Sequence, residues 1–100
     1  MPKIYITEYQ SLAKDRADNV IAAGSEPANL VQAVTFAASS VQSEAFAETT
    51  QFVRVHSDAT CQVLFGSDPD AALGGTRLIA NGTEFFGVRG GLKLSVIQST

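Results

Sequence analysis

The sequence predicts an all-β domain, an antiparallel β-sandwich of which a jelly roll is one arrangement. Three observations carry this. From residue 51 to 97 the chain is a succession of short apolar segments: QFVRVHS, CQVLFG, TRLIA, TEFFGV and LKLSVI. The breaks between them hold Asp58-Ala59, Gly66-Ser67-Asp68-Pro69-Asp70, Asn81-Gly82 and Gly90-Gly91, all turn chemistry. The segments also lack a clean polar face, whereas a half-solvated sheet alternates. Either a second layer covers both sides, or another subunit covers part of this surface.

Taken in order, Ile4 to Tyr9 alternates and reads as a first strand. Asp15, Asp18 and Asn19 mark a turn, and Val20 to Ala23 returns as a partner strand ending at Gly24. A helix over Gln10 to Ala17 is the competing reading, but its apolar face holds little beyond Leu12. Residues 1–29 are therefore expected as an N-terminal hairpin or extended arm, and residues 30–100 as the sandwich core of a single domain. Leu30 to Ala38 reads as a strand with Val34 and Phe36 on one face and Val31, Ala33 and Thr35 on the other. Ser39 to Thr50 is the helical piece. Ser39 with Gln42 three residues on resembles a capping box, and Val41, Ala45 and Phe46 face inward over one or two turns.

Phe52–Ser57 and Thr60–Gly66 are expected to pair about Asp58-Ala59, with Phe52 opposite Phe65, Arg54 opposite Val63 and His56 opposite Cys61. Asp-Ala suits a type I′ turn poorly, because that turn wants Gly second, so a register one residue away stays open. Asn81-Gly82 is the favoured two-residue hairpin loop. It sets Leu78 against Phe85 and Arg77 against Phe86, with Arg77 and Glu84 as diagonal neighbours and a plausible exposed ion pair. Gly90-Gly91 is a tight connection, and Leu92, Leu94 and Val96 form the last strand.

Composition narrows the function. A chain of 100 residues fits one domain that can fold without staples. A net charge of −3 and scattered basic residues disfavour direct nucleic-acid binding. No stretch approaches the roughly 20 apolar residues of a membrane span, and no signal peptide is visible. The single cysteine, Cys61, excludes an internal disulfide and points to a reducing compartment.

Candidate chemistry is sparse. His56 and Cys61 are the one pair that suggests a thiol nucleophile, but they lack an orienting group and a cleft; a buried thiol beside a partly exposed imidazole is the favoured reading. Asp58, Asp68 and Asp70 suggest oxygen ligands for calcium, yet lack the spacing of a calcium loop and read as turn residues. Asn81-Gly82-Thr83 matches a glycosylation acceptor and is better explained by the turn. Residues 87–91 lack the Lys-Ser/Thr ending of a phosphate loop. No catalytic, metal or cofactor residue is assigned. Arg54, Arg77, Arg89 and Lys93 either line one basic surface of the second half, facing an acidic first half, or are ordinary surface charge.

The second half resembles small structural proteins of tailed bacteriophages and prophages. The matching positions are Val53-Arg54-Val55, Asp58, Cys61, Phe65-Gly66, Pro69, Arg77-Leu78, Glu84-Phe85-Phe86, Gly87-Val88 and Val96-Ile97, together with the opening MPKIYITEY. The resemblance implies a small β-sandwich subunit of a virion, assembled in the host cytoplasm. The expected role is a capsid decoration or cement protein whose partners are the major capsid protein and copies of itself. A head–tail or tail adaptor is the structural alternative, and a small ligand-binding β module the alternative of another class. Ile4, Tyr5, Phe52 and Phe86 are the expected intersubunit contacts.

Overall fold

A computed structural model describes residues 2–99 apart from Asp15, Asp18 and Ser25, and without the side chains of residues 20–23 and 73. It contains ten strands: β1 (Lys3–Tyr9), β2 (Leu12–Lys14), β3 (Val20–Gly24), β4 (Leu30–Thr35), β5 (Val41–Gln42), β6 (Phe52–Ser57), β7 (Cys61–Gly66), β8 (Thr76–Leu78), β9 (Thr83–Gly87) and β10 (Lys93–Gln98). Eight of them make two antiparallel sheets in the orders β4-β1-β6-β9 and β5-β10-β7-β8, and β2 pairs with β3 as a separate hairpin. The expected β-sandwich is therefore the fold.

The core follows from period-two alternation. In the first sheet Ile6 stands opposite Val55, Ile4 and Val53 share their inward face, and all four are fully buried. In the second, Cys61, Val63, Leu94 and Val96 face them, also fully buried. Phe36 and Phe46, from the segments either side of β5, join the same cluster. Burying each of these large side chains contributes on the order of 2 kcal/mol. The faces of β4 are as the sequence predicts: Val34 and Phe36 pack inward while Val31, Ala33 and Thr35 are exposed.

Lettering the eight strands B to I from β4 through β10 and on to β1 turns the two orders into B-I-D-G and C-H-E-F. Those are the sheets of a jelly roll, two packed Greek keys. Here the last strand of the roll is the first in the chain. The two ends lie together accordingly: Phe36 N–H donates to Pro2 O (3.1 Å) and Gln98 N–H donates to Ala37 O (2.8 Å). The break in the roll thus falls between β10 and β1, and the β2–β3 hairpin fills the join from β1 to β4.

Several expectations are corrected. Within the segment expected as a hairpin or arm, β2 and β3 do form a hairpin, but β1 belongs to the sandwich, in the middle of a sheet between β4 and β6. The hairpin partner of β3 is β2, not β1. The turn expected at Asp15, Asp18 and Asn19 falls largely outside the described residues. The segment 39–50 is not helical. Its Ser43 and Phe46 N–H groups donate to Leu94 O (2.7 Å) and Leu92 O (2.8 Å), so it runs as an irregular edge beside β10. The one helical turn among the described residues is a 3-10 turn at Ala71–Leu73, capped by the Asp70 carboxylate.

Neither expected hairpin of the second half exists. β6 and β7 belong to different sheets, as do β8 and β9, so Arg77 and Glu84 are not cross-strand neighbours. The local geometry explains this. A type I′ loop needs positive φ at both central residues. Asn81 has φ 60°, but Gly82 is not among the positive-φ residues. The turn closes one residue early, with Gly82 N–H donating to Ile79 O (3.0 Å). Asn81 sits at its third position, where type II geometry favours Asn or Gly. The two corners lock together: Asn81 N–H donates to Ser57 O (2.7 Å).

Candidate functional site

The two outer faces of the sandwich differ, and that difference locates the candidate surface. On the β5-β10-β7-β8 sheet the outward positions include Gln42, Ser95, Leu64 and Gln62. The segment 67–75 folds back over this face. Gln42 Nε2 donates to Asp68 Oδ1 (2.8 Å) and Pro69 O (2.9 Å), and Gln62 Nε2 donates to Ala71 O (3.2 Å). Pro69, Ala71 and the outward-facing Ser95 are buried as a result. This sheet supplies its own cover.

The outer face of β4-β1-β6-β9 stays open over most of its area. Register places Ala33, Tyr5, His56 and Thr83 in one row across it, and Val31, Thr7, Arg54 and Phe85 in the next. Val31 is 62% exposed, Phe85 53% and Tyr5 38%. Phe52 stacks on Tyr9 with centroids 5.2 Å apart and meets Phe85 at 6.5 Å. Among the described residues, the cover lies at the Tyr9 end. The Tyr9 ring lies against Gly24 of the hairpin so closely that a Cβ there would collide with it. Its hydroxyl donates to Glu26 Oε2 (2.8 Å). Burial first, then this carboxylate, holds the Tyr9 hydroxyl above its usual pKa. The outward register positions carry Lys3, Arg54 and His56 and no carboxylate, although the whole chain has a net charge of −3.

The four expected contact residues separate. Tyr5 lies on the open face, and Phe52 is half-buried on it. Ile4 is fully buried in the core and offers no surface for a contact. Phe86 points inward, 4.9 Å from the ring of Phe65, and packs against the core. The exposed aromatic of β9 is its neighbour Phe85. A one-residue error of this kind follows from the misplaced hairpin, since a shift of one inverts every side chain in a strand. The basic residues do not share a surface either: Arg54 is on this face, while Arg77 and Lys93 are outward on the other sheet.

The candidate chemistry does not assemble. His56 lies on the open face with Nδ1 2.9 Å from Thr83 Oγ1. Cys61 lies in the core of the opposite sheet, its thiol 3.4 Å from Ser57 Oγ. Burial pushes that thiol above its usual pKa and keeps it protonated, the opposite of what a nucleophile needs. Asp58, Asp68 and Asp70 have separate uses, accepting from Lys3 N–H, Gln42 Nε2 and Ala72 N–H. No cluster of three His, Cys, Asp or Glu side chains placed to hold a metal occurs among the described residues. A shallow groove of about 620 Å³ lies between Ser39, Ser40, Gln42, Asp68 and Asp70. Its Gln42 amide, Ser40 hydroxyl and Asp70 carboxylate are already committed to positioning the 67–75 segment.

Glu8 is the important residue that sequence reasoning passed over. It continues the inward series of Ile4 and Ile6 and is fully buried. Its Oε1 accepts from Ala47 N–H (2.9 Å) and the Thr50 hydroxyl (2.8 Å), and its Oε2 accepts from Gln32 Nε2 (3.0 Å). A carboxylate at an inward position of an alternating strand is the signal that could have found it. No protein-family model, curated protein or solved structure matches this chain.

Proposed function

We propose that this chain is a non-catalytic structural subunit that docks on a larger assembly through the open face of β4-β1-β6-β9. Within that class we assign it to the decoration or cement proteins of a tailed-phage capsid, with the major capsid protein as its principal partner. The observation that carries the reading is the inequality of the two sandwich faces: one is closed by its own loop, and the other leaves Tyr5, Val31 and Phe85 exposed. Exposed apolar surface rimmed by polar groups marks contact sites. Lys3 and Arg54 on that face match a partner surface that presents carboxylates. Many equivalent copies on one lattice would add avidity to a modest individual contact.

The test is reloading of purified particles stripped of the chain. Wild-type protein is expected to rebind at lattice-scale copy number. Phe85→Asp is expected to remain folded and lose binding, because its side chain leaves no hole in the core. Phe86→Asp is expected to unfold instead. Undiminished binding by folded Phe85→Asp would overturn the assigned face. Binding confined to a single vertex would overturn decoration in favour of an adaptor.

A further inference from the structure

Each sheet has two edges, and the chain protects three of the four. β5 has two residues and β8 has three, too short to template another strand. β9 carries Glu84 and ends at Gly87. β4 differs: it is six residues of LVQAVT, without charge or proline, and it is paired on one side only. Short strands, charges, prolines and bulges are the usual protections of a sheet edge, and β4 has none.

The pairing with β1 fixes which groups of β4 face outward. Phe36 N–H donates to Pro2 O, in the same register as Val34 with Ile4 and Gln32 with Ile6. Backbone groups alternate sides along a strand, so Leu30, Gln32 and Val34 turn theirs to β1. Val31, Ala33 and Thr35 turn their N–H and C=O groups to the open edge. No partner for these three N–H groups occurs among the described residues.

We propose that β4 is a self-pairing edge: two copies of the chain join β4 to β4, antiparallel, about a two-fold axis at Ala33. Residues directly opposite in an antiparallel pair share a face, so outward residues must oppose outward residues. Of the registers that satisfy this, two pair five residues of each strand, the most that the six of β4 allow. An axis at Gln32 places Thr35 against Asn29, whose N–H is already donated to Glu8 O (2.7 Å). The axis at Ala33 sets Ala33 against Ala33 of the second copy and Val31 against Thr35, and it uses every outward group. β4 bears no charge, so two copies of a chain with net charge −3 meet there without direct repulsion. Two six-residue strands bury well under the roughly 1,200 Å² of a standard stable interface. The contact is therefore weak in dilute solution and strengthens where copies are held side by side. This extends the proposed role by naming where neighbouring copies touch. Its test uses the free protein, so failure here would leave particle docking intact, and the reverse also holds.

The experiment is oxidative cross-linking of single-cysteine additions. Directly opposed residues in a hydrogen-bonded antiparallel pair have Cα atoms about 5.5 Å apart, within disulfide range. Ala33→Cys is expected to give a covalent dimer at concentrations where Val31→Cys and Thr35→Cys alone give none. A mixture of those two is expected to give the heterodimer. Cys61 is buried, so the wild type is the monomeric control. Ala33→Pro removes an N–H that the monomer does not use, and it is expected to abolish concentration-dependent protection of the Val31 and Thr35 amides. Ala33→Lys is the second blocking variant. Cross-linking of Ala33→Cys no faster than Thr35→Cys would overturn the proposal, as would dimers formed by Thr83→Cys on the β9 edge or preferential pairing of Val31→Cys with Ala33→Cys.

Discussion

Replacing Glu8 with Ala tests how the irregular 43–51 segment is held to the sandwich. The carboxylate is fully buried and accepts hydrogen bonds from Ala47 N–H, the Thr50 hydroxyl and Gln32 Nε2. Truncation removes the acceptor from all three. Gln32 is half-buried and can recruit water, but Thr50 is 1% exposed and cannot. Leaving a buried donor unsatisfied costs about 1–3 kcal/mol; Thr50 bears this in full and the half-buried Ala47 N–H in part, which puts the loss at roughly 3 kcal/mol. For a domain of this size each kcal/mol moves Tm by about 4–8 °C, giving a drop on the order of 20 °C. Glu8→Gln keeps an oxygen for Ala47 and Thr50 but turns an amide N–H₂ toward Gln32 Nε2. Gln32 cannot rotate its amide to adapt without losing its bonds to the Glu44 N–H (3.0 Å) and C=O (3.3 Å). Its cost is expected near 1–2 kcal/mol, between wild type and Ala. Urea unfolding of the three proteins with Thr50→Val, as a double-mutant cycle, measures these values, and the Glu8–Thr50 coupling should exceed about 0.5 kcal/mol. A Glu8→Ala variant within about 1 kcal/mol of wild type would show that the hydrogen bonds do not hold this segment.

Three further outcomes follow from the same geometry. A Cβ on Gly90 would lie 2.5 Å from Glu48 Cα and 2.6 Å from Glu48 O, both backbone, so Gly90→Ala is expected to cost about 2–3 kcal/mol in urea unfolding. Gly87→Ala meets open space and should be near neutral. The Cys61 thiol and Tyr9 hydroxyl are both raised above their ordinary values of 9.0 and 10.0, so the folded state holds these protons more tightly than the unfolded chain. Their contribution is full below about pH 9 and falls as pH rises beyond it, and Cys61→Ala should flatten the first part of that decline in melts across pH 8–11. Joining the chain ends through a short linker and opening the chain within the β2–β3 hairpin should leave a cooperative, folded jelly roll by circular dichroism and melting.

Much of the strand content is legible along the chain. β1, β4, β6, β7, β9 and β10 fall where alternation places them, and Val34 with Phe36, Val53 with Val55, and Leu94 with Val96 share faces as that alternation requires. Side-chain period is a local property of an extended backbone, so it can be read from neighbours alone. The capping pattern of segment 39–50 is equally local and points to a helix, whereas its actual backbone partners, Leu92 and Leu94, lie some fifty residues away.

The candidate surface was half legible. Tyr5 and Phe52 could be named from the sequence, but Phe85 and Phe86 could be told apart only once β9 was paired with β6 instead of β8. Residue order alone gives most of the strands and their apolar faces. Tertiary structure decides which strands pair, that Asp58-Ala59 and Asn81-Gly82 carry the chain between sheets, and that β1 closes the roll from the wrong end of the chain. It also decides that the doubly apolar strands are covered on one side by a loop and left open on the other. Strand pairing joins residues far apart in sequence, and its free energy comes from surfaces that exist only after both sheets have met.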